Sequence, residues 1–345
     1  MTTGSRVATS VASVVCALLV VEAGLRVADI GYLNAPSVSS PALHHVHPLD
    51  YRFRSYDPGG EFGGHIIRFA ADGAVVDPIT GDEAEANAPA RLAVLGDSFV
   101  EAVQVPYAQS LVGRLASATN GRAIVRNFGV TGYSPILYLL QWPATVRAWK
   151  PTHVLVLLYS NDIDDDREYA RDAVLNADGL PLAVPGPADL AVVLWLHHSY
   201  AARLGALSYR RLAWRLAHGS SAALSVGGYV EPNPDITPLT SSLLVALARD
   251  VRASGAEFVL SAVPSKARLA GVPGATNGPE FAEKCRVWAA AHGVPFVDLI
   301  PAFRDAAAGG RHLFFQRDIH LTADGHAVAA DTICRALKAL CGPIE

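Results

Sequence analysis

Charged residues are scarce in this chain. They make up 17% of its 345 residues, where globular domains average roughly 25%. The charges nearly balance, at 28 basic against 32 acidic residues, and they form no basic run. That excludes the basic footprint of a nucleic-acid binder. Cysteine is also sparse. Cys16, Cys285, Cys334 and Cys341 are too few for a disulfide scaffold and lack zinc-ligand spacing. Cys334 and Cys341 fall on one expected helix, about 10.5 Å apart along its axis, too far for a bridge unless the helix ends early. No internal repeat or low-complexity tract is present. Disorder is excluded by the 51% hydrophobic content, since disordered chains combine low hydrophobicity with high net charge. The length allows one large domain or two ordinary ones, at about 100–200 residues each.

One long uncharged run stands out, Val7 to Val21, between Arg6 and Glu22. Fifteen helical residues span about 22 Å, short of the roughly 30 Å hydrocarbon core. Continuing to Leu25 nearly closes the gap and brings Glu22 to the interface. The pattern fits an uncleaved membrane anchor over residues 1–30, with a cleaved secretory signal as the alternative. Val21-Glu22-Ala23 is a poor cleavage site, and no small residue precedes Cys16 as a lipoprotein signal requires. Either reading sends the remainder outside the cytoplasm, in line with Arg6 and the amino group on the inner side.

Residues 31–90 are rich in Gly, Pro, Asp and His and read as a small β-rich spacer. Within them, Ile66–Phe69 and Ala74–Val76 flank Asp72-Gly73 as a hairpin. From Arg91 onward, short apolar strands alternate with helical patterns. The expected strands are Leu92–Leu95, Ile124–Val125, Val154–Leu158, Phe258–Val263 and Pro295–Leu299. The expected helices lie near 108–118, 136–148, 238–254, 280–292 and 323–340. This alternation implies an α/β fold whose central parallel sheet is covered on both faces. A helical insertion near 165–235 interrupts it. It carries the apolar stretch Ala188 to Leu216, read as core or lid packing, and follows the acidic run Asp164-Asp165-Asp166, read as a solvated loop.

Four segments carry chemistry. Gly96-Asp97-Ser98-Phe99 places a serine beyond the first strand, where open α/β sheets bind ligands; a helix cap is the plainer reading. Asn127-Phe128-Gly129-Val130-Thr131-Gly132 follows the second strand, where glycines let the backbone turn and aim an N–H at an oxyanion. Asn161-Asp162 follows the third strand, where an asparagine amide can donate to the same oxyanion. Asp318-Ile319-His320 opens the last helix, where a carboxylate can fix the tautomer of a histidine base.

In this order and spacing the four segments resemble the SGNH hydrolases, or GDSL-type esterases, over roughly residues 91 to 345. The resemblance implies a three-layer, flavodoxin-like α/β/α fold and an acyl-serine mechanism. It assigns Ser98 as nucleophile, His320 as base and Asp318 as its orienting carboxylate. The oxyanion hole comprises the Ser98 and Gly132 N–H groups and the Asn161 side chain. It implies no organic cofactor and no metal. Two departures stand. Tyr159-Ser160 replace the glycines that often precede the asparagine, and Arg317 occupies the family's usual aspartate position, three residues before the histidine. His326, the rival base, reads as a packing residue about two turns deeper in the helix.

The expected activity is hydrolysis of O-acyl esters, O-acetyl foremost, on envelope or extracellular polysaccharide. The anchor, β-rich spacer and Asp-x-His block resemble bacterial relatives associated with such glycans. The alternatives are an O-acetyltransferase of envelope glycans, a lysophospholipase-type lipid esterase and a non-catalytic glycan-binding protein. The expected partners are an acyl ester or acetylated carbohydrate and the membrane, with no nucleic acid.

Overall fold

The computed structural model describes residues 3–28, 37–56, 61–81, 89–187, 199–202, 204–205, 208–209, 231–272 and 278–341. Trp195, His197, His198 and Trp214 of the expected insertion lie outside them. The amino-terminal run forms a longer helix than the apolar residues alone define, Thr3–Ala28. Its best window has mean hydropathy 2.1, and its apolar side chains are exposed, so it is long and apolar enough to cross a membrane. It runs through Glu22 because Arg26, one turn on, pairs with that carboxylate at 2.7 Å. Glu22 also accepts from the Ser199 hydroxyl at 2.9 Å and from the Tyr200 and Ala201 N–H groups, docking the start of the 199–202 segment on this helix.

The strands in chain order are β1 (Val38–Ser40), β2 (His44–Val46), β3 (Arg52–Tyr56), β4 (Gly63–Phe69), β5 (Val75–Val76) and β6 (Ala90–Gly96). They continue with β7 (Ala123–Asn127), β8 (His153–Leu158), β9 (Val174–Leu175), β10 (Pro181–Ala183), β11 (Glu257–Ala262) and β12 (Phe296–Val297). One sheet runs β12-β11-β8-β6-β7-β5-β4-β3. Its first five strands are parallel, and β5, β4 and β3 continue it antiparallel. The expected parallel set stands at the centre, and the three antiparallel strands that extend it make the whole sheet mixed. Residues 31–90 likewise do more than space the chain: the β4–β5 hairpin turns at Asp72-Gly73 as expected and then pairs with β7 through Val75 and Asn127. Phe53, Ile67, Phe69, Val75 and Val103 form a small core beneath these added strands.

The parallel strands alternate their side chains between two buried faces. Ala93, Leu95, Val156 and Leu158 pack with helices 135–141, 238–253 and 281–291. Leu92, Val94, Leu155 and Leu157 pack with helices 111–119, 300–308 and 323–336. Layers of helix on both faces produce the expected three-layer architecture.

Three local features depart from the sequence reading. The expected helix 136–148 is regular only over Pro135–Gln141, then loosens to a π-turn over Trp142–Val146 and tightens at Arg147–Trp149. Pro143 has no N–H to give to the ladder, and its ring crowds the preceding turn. The acidic run is a helix, Asp162–Tyr169, rather than a solvated loop. Carboxylates in a first turn complement the helix dipole, and Asp166 is buried, accepting from the Ile136 N–H at 2.9 Å and the Thr240 hydroxyl at 2.7 Å. Finally, the last long helix stops at Ala336, so Cys334 and Cys341 approach to 5.3 Å between Cα atoms and form a disulfide. The proviso that the helix end early is met.

Candidate active site

Strand β6 ends at Gly96, where any side chain would meet Val100 Cγ2 at 2.3 Å. The chain turns there into a single helical turn, Ser98–Glu101, whose cap is Asp97: its carboxylate accepts the Phe99 N–H at 2.9 Å. Asp97 is thus the capping residue and Ser98 the first helical one. Ser98 is half-buried, above a Phe99 ring fixed between Tyr159 and His320. Burial pushes the Asp97 carboxyl up to about 6, against the opposing pull of the Phe99 N–H and the nearby imidazole.

His320 comes from the loop before helix 323–336. Its Nε2 lies 2.7 Å from Ser98 Oγ and its Nδ1 2.5 Å from Asp318 Oδ1, which also accepts the His320 N–H at 2.8 Å. A carboxylate can only accept, so Nδ1 carries the proton and Nε2 is left to accept from the serine hydroxyl. Burial pushes the Asp318 carboxyl up, but the hydrogen bonds and charge of His320 outweigh it and hold the group below its usual value. His326 lies elsewhere. It is fully buried, its Nδ1 accepts the Leu111 N–H at 3.2 Å, and burial pushes it down to about 3, so it stays neutral in the core.

The second segment is fastened to the nucleophile turn. Asn127 Nδ2 donates to Val100 O at 2.7 Å while its Oδ1 accepts from Gly129 N at 2.9 Å. A Cβ at Gly129 would sit 2.4 Å from Glu101 N, so glycine is required by close backbone approach. Gly132 adopts φ 77°, and its carbonyl accepts from Tyr169 OH at 2.7 Å. Neither its N–H nor that of Ser98 has a hydrogen-bond partner among the described residues. Asn161 stands at the start of helix 162–169 without capping it through its side chain. Its amide donates to Asp165 Oδ2 at 2.7 Å, which leaves one amide proton without a partner among the described residues. Burial, then the charge of Asp97, raises the Asp165 carboxyl to about 7.

The structure therefore brings Ser98, Asp318 and His320 into one hydrogen-bonded chain, with Gly132 and Asn161 on the loops after β7 and β8. The model of the family described as GDSL-like Lipase/Acylhydrolase matches residues 94–328. The chain belongs to this family. Membership makes it a serine hydrolase of ester bonds. Three solved structures similar to this GDSL-type chain illustrate the spread. An α/β hydrolase from the metagenome of Lake Arreo, Spain, is 15% identical, with 73% of this chain and 97% of that one covered and a TM-score of 0.43. A catalytic mutant of an acetylxylan esterase from Geobacillus stearothermophilus is 14% identical, with coverage of 75% and 96% and a TM-score of 0.42. A psychrotrophic esterase from Pseudoalteromonas sp. is 15% identical, with coverage of 72% and 96% and a TM-score of 0.39. No curated protein matches the chain.

Sequence reasoning missed the residues by which 37–81 reaches the site. His47 and Glu101 form a fully buried pair at 2.5 Å, and the Thr131 hydroxyl donates to the other oxygen of Glu101. The His47 ring stacks on Phe69 and donates through Nδ1 to Gly73 O at 2.7 Å. His45 Nε2 meets Thr131 O at 2.7 Å, beside Gly132. The cluster His44-His45-Val46-His47 was the available signal, but only a partner distant in sequence gives it meaning.

Proposed function

We propose that this GDSL-family chain is a membrane-tethered, extracytoplasmic esterase. It removes O-acyl groups, acetyl foremost, from envelope or extracellular polysaccharide. The observation that carries the reading is the unbroken line Asp318–His320–Ser98, with contacts of 2.5 and 2.7 Å. Ser98 Oγ attacks the ester carbonyl as His320 Nε2 takes its proton, and Asp318 orients the imidazole and stabilises its charge. The tetrahedral oxyanion accepts from the Ser98 and Gly132 N–H groups and the spare Asn161 amide proton. His320 returns the proton to the departing alcohol. A water, activated by the same imidazole, then cleaves the acyl-serine and restores Ser98.

The location is supported by the apolar helix Thr3–Ala28 and by the Cys334–Cys341 disulfide, a bond that persists in oxidising compartments. The polysaccharide substrate rests on the resemblance of the anchor and β-rich segment to bacterial relatives that serve such glycans. Turnover of p-nitrophenyl acetate by the full chain held in detergent is expected to disappear in Ser98→Ala. Activity at the wild-type level in that variant would remove Ser98 from its role. Acetyl esters are expected to outrun octanoyl esters; the reverse order favours a lipid ester as substrate. Acetyl transfer to an added oligosaccharide in preference to water would make the protein a transferase.

A further inference from the structure

The segment that bears the base has little regular structure of its own. An isolated bridge between Phe314 and Leu321, with the Phe315 N–H donating to His320 O at 3.1 Å, closes a loop over Gln316–Ile319. The three successive N–H groups of Gln316, Arg317 and Asp318 converge on one carboxylate, Glu61, at 2.8, 2.8 and 3.0 Å. From the other side, Lys266 Nζ donates to the carbonyls of Gln316 at 3.1 Å and Asp318 at 2.8 Å. Consecutive N–H groups turned to one side make an anion-binding concavity, and here it is filled from within the chain, across 257 positions of sequence.

We infer that Glu61 is a positioning residue for the general base. Resting on the proposed roles of Ser98, His320 and Asp318, the inference is that the 37–81 segment builds part of the active site. The path is short. Glu61 fixes the Asp318 main chain; the Asp318 carboxylate fixes His320 through two hydrogen bonds; His320 Nε2 reaches Ser98. Without the carboxylate, three N–H groups turn to water and the loop gains alternatives to the one conformation that aims the imidazole. Misplacing a reacting group by about 1 Å costs about 100-fold in rate. Glu61 lies outside residues 94–328, the part of the chain that the family model matches.

The test compares wild type, Glu61→Gln, Glu61→Ala and Lys266→Met in the full chain held in detergent, with Ser98→Ala as the blank. Glu61→Gln is expected to lose about 10- to 100-fold in kcat on p-nitrophenyl acetate with KM little changed. Sodium formate, a carboxylate small enough to refill the concavity, is expected to restore part of kcat in Glu61→Ala and to leave wild type unaffected. The downfield proton resonance of His320 Nδ1–H, assigned by its loss in His320→Gln, is expected to broaden away in Glu61→Gln. Wild-type kcat together with an unshifted resonance in Glu61→Gln overturns the proposal, as does a rise in KM alone. Should Glu61→Gln fail to fold, Lys266→Met loosens the same loop from the other side, and an unchanged resonance there overturns it equally. The resonance separates the two ideas. If it responds while wild type shows no Ser98-dependent turnover, the clamp stands and the catalytic reading falls.

Discussion

Each residue of the site is held by a neighbour that leaves it little choice of geometry. Asp318 faces both the N–H and Nδ1 of His320, so the imidazole has one tautomer and one direction. Gly129 is held as tightly by backbone: Gly129→Ala would drive its Cβ against Val100 and Glu101. Such overpacking costs about 1–3 kcal/mol. Denaturant unfolding is expected to show that loss, together with reduced turnover from a displaced Gly132 N–H. A second prediction concerns the carboxyls behind Asn161. Asp97 and Asp166 are raised to about 6 and Asp165 to about 7, in each case chiefly by burial. A carboxyl raised in the folded state holds its proton longer there than in the unfolded chain. Its contribution to stability therefore declines as pH rises from about 4 to about 7 and is level beyond. Asp165→Asn keeps the acceptor for Asn161 and removes the charge. It is expected to raise Tm at about pH 8 and to leave Tm near wild type at about pH 4, where Asp165 is already neutral in the fold. An equal shift at both pH values contradicts this account of a buried, ionised Asp165.

At the scale of elements, what the sequence made legible was whatever is encoded locally. The apolar runs at β6, β8 and β11 and the helical stripes over 238–253 and 281–291 are continuous in sequence, and their positions follow from periodicity. The four chemical segments were legible because each sits at a strand end or helix start, where open sheets concentrate function. The π-turn at Pro143 needed knowledge of how the following turn repacks. Helix 162–169 was hidden because its acidic residues suggest water, whereas Asp166 meets partners from two other helices. The stop of the last helix at Ala336 decides the disulfide. Protein recovered from an oxidising compartment is therefore expected, after denaturation without reductant, to expose only Cys16 and Cys285 to an alkylating reagent. Alkylation of all four cysteines would contradict the Cys334–Cys341 disulfide.

For the whole molecule, the chief correction is that residues 37–81 complete the sheet and the site. Strand β5 covers the edge of β7, which would otherwise expose unpaired N–H and C=O groups. His45, His47 and Glu61 reach Thr131, the Ser98–Glu101 turn and the His320 loop from the same segment. Of this only the Asp72-Gly73 hairpin was legible in sequence; its docking on β7 and the single carboxylate filling a distant loop leave no periodic trace. The scarcity of charge also resolves into two places: the buried parallel strands, and the exposed apolar helix Thr3–Ala28. The account depends most on Ser98 carrying the acyl group. Its most direct test is to quench the enzyme in acid during turnover of an acetyl ester and map the modified peptide by mass spectrometry. The account predicts one acetyl group on Ser98, absent from Ser98→Ala and accumulating when deacylation is slowed. Turnover with the acetyl group on another residue, or with Ser98 unmodified while Ser98→Ala remains active, contradicts it.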